Sequence, residues 1–68
     1  MFREYEMVRL IRDIPELNLQ AGDVGVVVII YDEPNLPRAY EIDFSNVKAK
    51  SLKTATLYEG DLERLEKL

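Results

Sequence analysis

The chain contains no cysteine and no histidine. The first absence excludes disulfide braces and thiolate zinc sites together. The second removes the usual base for a serine nucleophile, and Ser45 and Ser51 both fall in turn regions. At 68 residues the chain lies near the lower limit for independent folding. With the covalent and metal staples gone, support must come from efficient packing or from another chain. Lack of cysteine also suits a reducing compartment.

Basic residues are scarce: nine Lys and Arg stand against thirteen Asp and Glu, for a formal charge of −4. That balance weighs against a large phosphate-binding footprint and is compatible with a basic protein partner. Long apolar runs are missing too. The longest, residues 24–31, is far short of a membrane span, and the opening MFREYEMVRL is charged throughout. The expectation is a soluble, cytoplasmic protein that does not associate with membranes and requires no cofactor.

What remains is strand-forming material punctuated by turns, with no repeat, linker or low-complexity tract, so residues 1–68 are expected to form one domain. Residues 5–13, YEMVRLIRD, make a first strand, with Val8 and Leu10 on one face, Met7 and Ile11 on the other, and partial cover on both sides. Residues 14–23, IPELNLQAGD, form a loop marked by Pro15, Asn18 and Gly22. Residues 24–31, VGVVVIIY, are almost entirely β-branched and form the strongest strand. Their unbroken apolar pattern predicts a bent strand covered on both faces.

A loop, DEPNLP, precedes residues 38–44, RAYEIDF. There Tyr40, Ile42 and Phe44 alternate with Ala39, Glu41 and Asp43, as in a half-buried strand. A hairpin over residues 45–51 leads to a strand, LKTATLY, at 52–58. Gly60 and Asp61 then break the chain, with Asp61 placed to cap one helical turn over LERL. Several short strands separated by turns predict an all-β fold, a small SH3-like barrel of about five strands with one short helical turn near the C-terminus.

The segments LNLQAGDVGVVVIIY, AYEIDF and LYEGDLERLE resemble those of domain-of-unknown-function family 4926, a small prokaryotic family. The matching positions are Val8, Leu10, Asp13, Ile14, Pro15, Leu19, Gly22, Gly25, Val27 and Val28, then Tyr40, Glu41 and Phe44, then Asp61, Leu62 and Glu63. This resemblance implies an SH3-like barrel and brings no catalytic residues. The glycine turn and Val-rich strand also resemble the KOW element of transcription and ribosomal proteins, without the basic cluster near the turn.

Gly22-x-x-Gly25 invites comparison with a phosphate loop, but it leads into a strand and no Lys-Ser or Lys-Thr follows. The reading adopted is structural, with Gly22 and Gly25 supplying turn dihedrals and close backbone approach at a barrel corner. Glu41 and Asp43 share a strand face, as paired carboxylates for acid–base or metal chemistry would. On a half-buried strand that pattern is ordinarily a solvated face, here facing Lys48, Lys50 and Lys53 for cross-strand pairing.

Four tyrosines are many for so small a chain. Tyr31 ends the long strand, Tyr58 precedes the EGD turn and Tyr5 lies near the N-terminus, and these three form the candidate partner surface. Tyr40 is assigned to the core. The composite expectation is a non-catalytic protein-binding module, an accessory or antitoxin-like neutralising partner of another protein. Two alternatives stay open: an RNA- or ribosome-associated KOW-like domain, and a small structural subunit that self-associates into a homo-oligomer.

Overall fold

The computed structural model describes residues 1–44 and 54–65. Five antiparallel strands form one sheet: β1 Met7–Leu10, β2 Val24–Tyr31, β3 Ala39–Asp43, β4 Thr54–Tyr58 and β5 Leu62–Arg64, in the order β4-β3-β2-β1-β5. The strands at the two ends of that order, β4 and β5, are consecutive in sequence and joined only by a 3₁₀ turn, Glu59–Asp61. So short a connection forces the sheet to roll until its edges approach, which is the SH3-like barrel anticipated from the strand pattern. Among the described residues no helix is long and apolar enough to cross a membrane.

The rolled sheet wraps one core. Val8 and Leu10 of β1, Val27 of β2, Tyr40 and Ile42 of β3, Leu57 of β4 and Leu62 of β5 converge there, joined by Phe44. Ile14 and Leu19 close one end, brought together by a bridge across the 3₁₀ turn Pro15–Leu17. Phe2 enters from the N-terminal segment and meets Tyr40 edge to face, with ring centroids 5.3 Å apart. The Tyr40 hydroxyl donates to Glu59 Oε1 at 2.7 Å and accepts from the Phe2 amide at 3.3 Å. The polar tip of this fully buried ring is therefore satisfied, as burial of a phenol requires.

The long strand differs from its expected form in an instructive way. Val27 pairs with Ile42 and Ile29 with Glu41, so Val28 is an extra residue on β2, a β-bulge. Before the bulge Gly25 and Val27 point inward; after it Ile30 packs on the core, while Ile29 and Tyr31 turn outward. The unbroken apolar run therefore comes from a switch of alternation at the bulge. Cover on both faces does not extend to Ile29 and Tyr31, which are 46% and 40% exposed.

The first strand is shorter than expected and covered on one face only. Val8 and Leu10 are buried, whereas Met7 and Ile11 are exposed. Near the C-terminus the helical turn starts three residues earlier than anticipated, at Glu59. Asp61 ends the turn, and its Oδ2 accepts from the Tyr58 amide at 3.0 Å; Leu62–Arg64 is a strand because it pairs with β1. Strand β4 begins at Thr54, and the expected hairpin at 45–51, with Ser45, Ser51, Lys48, Lys50 and Lys53, lies outside the described residues.

The two glycines of the AGDVG stretch occupy different physical situations. Gly22 has φ of +99° and open space around it, a backbone conformation that L side chains resist. Gly25 sits where two strands close on each other. A Cβ there would lie 2.6 Å from Ile42 Cγ2 and 2.8 Å from the Asp43 carbonyl oxygen.

Candidate functional site

The outward face of β2, β3 and β4 carries the most distinctive exposed chemistry. Cross-strand register puts three residues in each of three rows: Tyr31, Ala39 and Tyr58; Ile29, Glu41 and Thr56; Val26, Asp43 and Thr54. Directly opposed residues of antiparallel strands project on the same side. The face is thus striped: an apolar column on β2, an acidic column with Ala39 at its head on β3, and a hydroxyl-bearing column on β4.

Glu41 stands at the centre of this array. Its Oε1 accepts from the Thr56 hydroxyl at 2.7 Å and from the Tyr31 hydroxyl at 3.3 Å, and the Thr54 hydroxyl bonds to the same carboxylate. Partial burial pushes the Glu41 carboxyl upward, but the three hydroxyl donors outweigh it and hold the group below the ordinary glutamate range. It is therefore an anion at neutral pH. The Tyr31 hydroxyl is raised by desolvation and by the charge of Glu41, so it stays protonated and donates.

Tyr31 and Tyr58 flank Ala39, two strand spacings apart, or about 10 Å. Ala39 is only 7% exposed although it faces outward, whereas Tyr58 is 51% exposed. Two aromatic rings with accessible surface thus border a hydrogen-bonded carboxylate. Such an arrangement can hold donors and cations; the Glu41 carboxylate, ionised and saturated with hydroxyl donors on Oε1, is poorly suited to proton transfer.

Tyr5 occupies a separate place. It precedes β1 with φ of +66°, its amide donates to the Val27 carbonyl at 2.6 Å, and its side chain is 73% exposed. It lines an open cleft with Arg3, Glu4, Glu6 and Arg64, in which Arg64 pairs with Glu6. Of the three sequence-selected tyrosines, Tyr31 and Tyr58 meet on one face, and Tyr5 lies on the β1 side of β2. Gly22 and Gly25 lie at the other end of β2.

Sequence reasoning passed over Ala39, Ile29 and Thr56, and weighed Glu41 only as a partner of Asp43 before assigning it to a solvated face. Glu41 looked like one more solvated charge of an alternating strand, and its neighbours on β2 and β4 are set by register. The TAT segment of β4 carried the only local hint, since alternate threonines on an exposed strand face present hydroxyls to the adjoining strand.

Comparison with curated proteins and with solved structures returns no match. A family profile described as a domain of unknown function, DUF4926, matches residues 4–64 and so spans every strand of the barrel. This agrees with the resemblance carried by the glycine turn, the AYEIDF strand and the DLE ending, and the chain belongs to the DUF4926 family.

Proposed function

We propose that the chain is a non-catalytic, cytoplasmic protein-binding module that engages a basic protein partner through the outward face of β2, β3 and β4. The observation that carries this reading is the pair of exposed rings, Tyr31 and Tyr58, on either side of Ala39 in the row next to Glu41. Tyrosine is enriched where binding energy concentrates, because it offers a large apolar area and a polar tip with little rotamer entropy to lose. The net charge of −4 adds long-range attraction for a basic partner and discourages nucleic acid.

The test is affinity capture from native-host lysate with the wild-type chain and with Tyr31→Ser/Tyr58→Ser, each split into nuclease-treated and untreated halves. The expected result is a protein held by the wild type in both halves and lost from the double variant. Retention of ribosomal proteins that disappears after nuclease would replace this reading with the RNA-associated one. A partner held equally by the double variant would move the binding surface elsewhere.

A further inference from the structure

The outward face is chemically asymmetric in a way that specifies its ligand. Glu41 is held in place by hydroxyls alone: Thr56 at 2.7 Å, Tyr31 at 3.3 Å, and Thr54. The described ion pairs join Arg9, Arg12, Arg38, Arg64 and the N-terminal amine of Met1 to Glu63, Asp61, Asp32, Glu6 and Glu59 in turn, and none includes Glu41. Among the described residues, then, an oriented carboxylate sits at the centre of an open sheet face without a cation.

The surroundings of Glu41 select among cations. Ile29, 46% exposed, stands directly beside it on β2 and offers apolar surface for an aliphatic stem. Tyr31 reaches the carboxylate with its own hydroxyl, so its ring edge borders the position a bound cation would take. Tyr58 supplies a second exposed ring across the sheet. A planar guanidinium uses all three features at once: it forks onto a carboxylate, stacks on an aromatic face and is weakly hydrated. An ammonium matches the charge but neither the fork nor the stacking.

We propose that this face takes an arginine side chain from a basic segment of the partner, its guanidinium on Glu41 and its plane against the tyrosine rings. The proposal rests on the protein-binding reading above and names the chemistry of that partner. The long Tyr31 hydroxyl contact has a specific place in it. At 3.3 Å it is the weaker of the two bonds on Oε1, and it yields to a guanidinium N–H while the 2.7 Å Thr56 bond continues to orient the carboxylate. The ring of Tyr31 is required and its hydroxyl is dispensable.

The experiment is a residue-resolved NMR titration of the chain with three capped tripeptides, Gly-Arg-Gly, Gly-Lys-Gly and Gly-citrulline-Gly, carried to about ten times a millimolar Kd. The arginine peptide should shift amides of β3 and β4 around Glu41 and saturate, the lysine peptide should shift them less, and the neutral citrulline isostere should leave them in place. Glu41→Gln should weaken the arginine response by about tenfold or more, while Tyr31→Phe should stay within about twofold of wild type. Equal responses to arginine and citrulline, shifts centred on another acidic patch, or no shift at all would overturn the arginine site. Partner capture separates the two levels. A partner lost from the double tyrosine variant but retained by Glu41→Gln refutes the arginine site and leaves the binding module standing. A partner retained by both variants refutes the face itself.

Discussion

At the scale of single residues, the three glycines make different demands. Gly25→Ala places a Cβ 2.6 Å from Ile42 Cγ2 and 2.8 Å from the Asp43 carbonyl, and backbone cannot give way as a side-chain tip can. It should cost about 2–3 kcal/mol, as overpacking does. Gly22→Ala meets open space but must hold φ of +99°, and should cost about 1–2 kcal/mol. Gly60→Ala meets neither obstacle and should be neutral or stabilise by about 0.5 kcal/mol. Urea denaturation of the three variants checks the order. The need for turn glycines was legible in AGDVG, but the division of labour was not, because the atoms that crowd Gly25 lie seventeen or more positions away in sequence.

Asp61 supplies a second prediction at this scale. Burial pushes its carboxyl up, but the hydrogen bond from Arg12 at 2.6 Å, the Tyr58 amide and the charge of Arg12 together hold it below the ordinary aspartate value of 3.8. A folded-state value below the unfolded one means stability that is fully present above the unfolded value and lost as pH falls through the folded one. Asp61→Asn should therefore destabilise the barrel by about 1–2 kcal/mol at neutral pH, with the gap closing as pH falls through the lowered folded-state value. Denaturation midpoints of both proteins from pH 7 down to about pH 2.5 measure this directly. A gap that stays constant over that range would assign the effect to packing.

At the scale of elements, the bulge in β2 matters most. It converts one apolar run into two half-strands with opposite alternation, so that Val27 is inside and Ile29 outside although both are odd-numbered. Val27→Ala should cost about 1–3 kcal/mol as a cavity in the core, whereas Ile29→Thr should stay within about 0.5 kcal/mol. A comparable loss from both would mean that β2 is covered on its two faces after all. The boundaries of β2 were readable from β-branched content, and the face of each β3 residue from clean alternation. The bulge was not readable, since VVVII offers no polar residue to mark where the alternation changes. The C-terminal turn was displaced for a related reason: Asp61 has the chemistry of a cap on either side, and pairing of Leu62 with Leu10 decides which side is strand.

At the scale of the whole molecule, rolling the sheet assigns the two surfaces their roles. The inner face collects the aliphatic and aromatic side chains of all five strands, and the outer face of β2, β3 and β4 is left with tyrosine, isoleucine, threonine and carboxylate. Tyr31 and Tyr58 were legible as candidates because each borders a turn. Their meeting on one face, with Glu41 below them, follows from pairing of Ala39 with residues eight positions before it and nineteen after it, which no local pattern encodes. Tyr5, held by its amide on the Val27 carbonyl, lies on the β1 side of β2. Partner affinity is accordingly expected to divide unequally among the three tyrosines.

The most direct measurement is the affinity of the captured partner, by titration calorimetry, for the wild type, Tyr31→Ser/Tyr58→Ser and Tyr5→Ser, each first checked for an unchanged denaturation midpoint. The account predicts a loss of about tenfold or more for the double variant and a change within about twofold for Tyr5→Ser. An undiminished affinity in the double variant, or a larger loss from Tyr5→Ser, would contradict it.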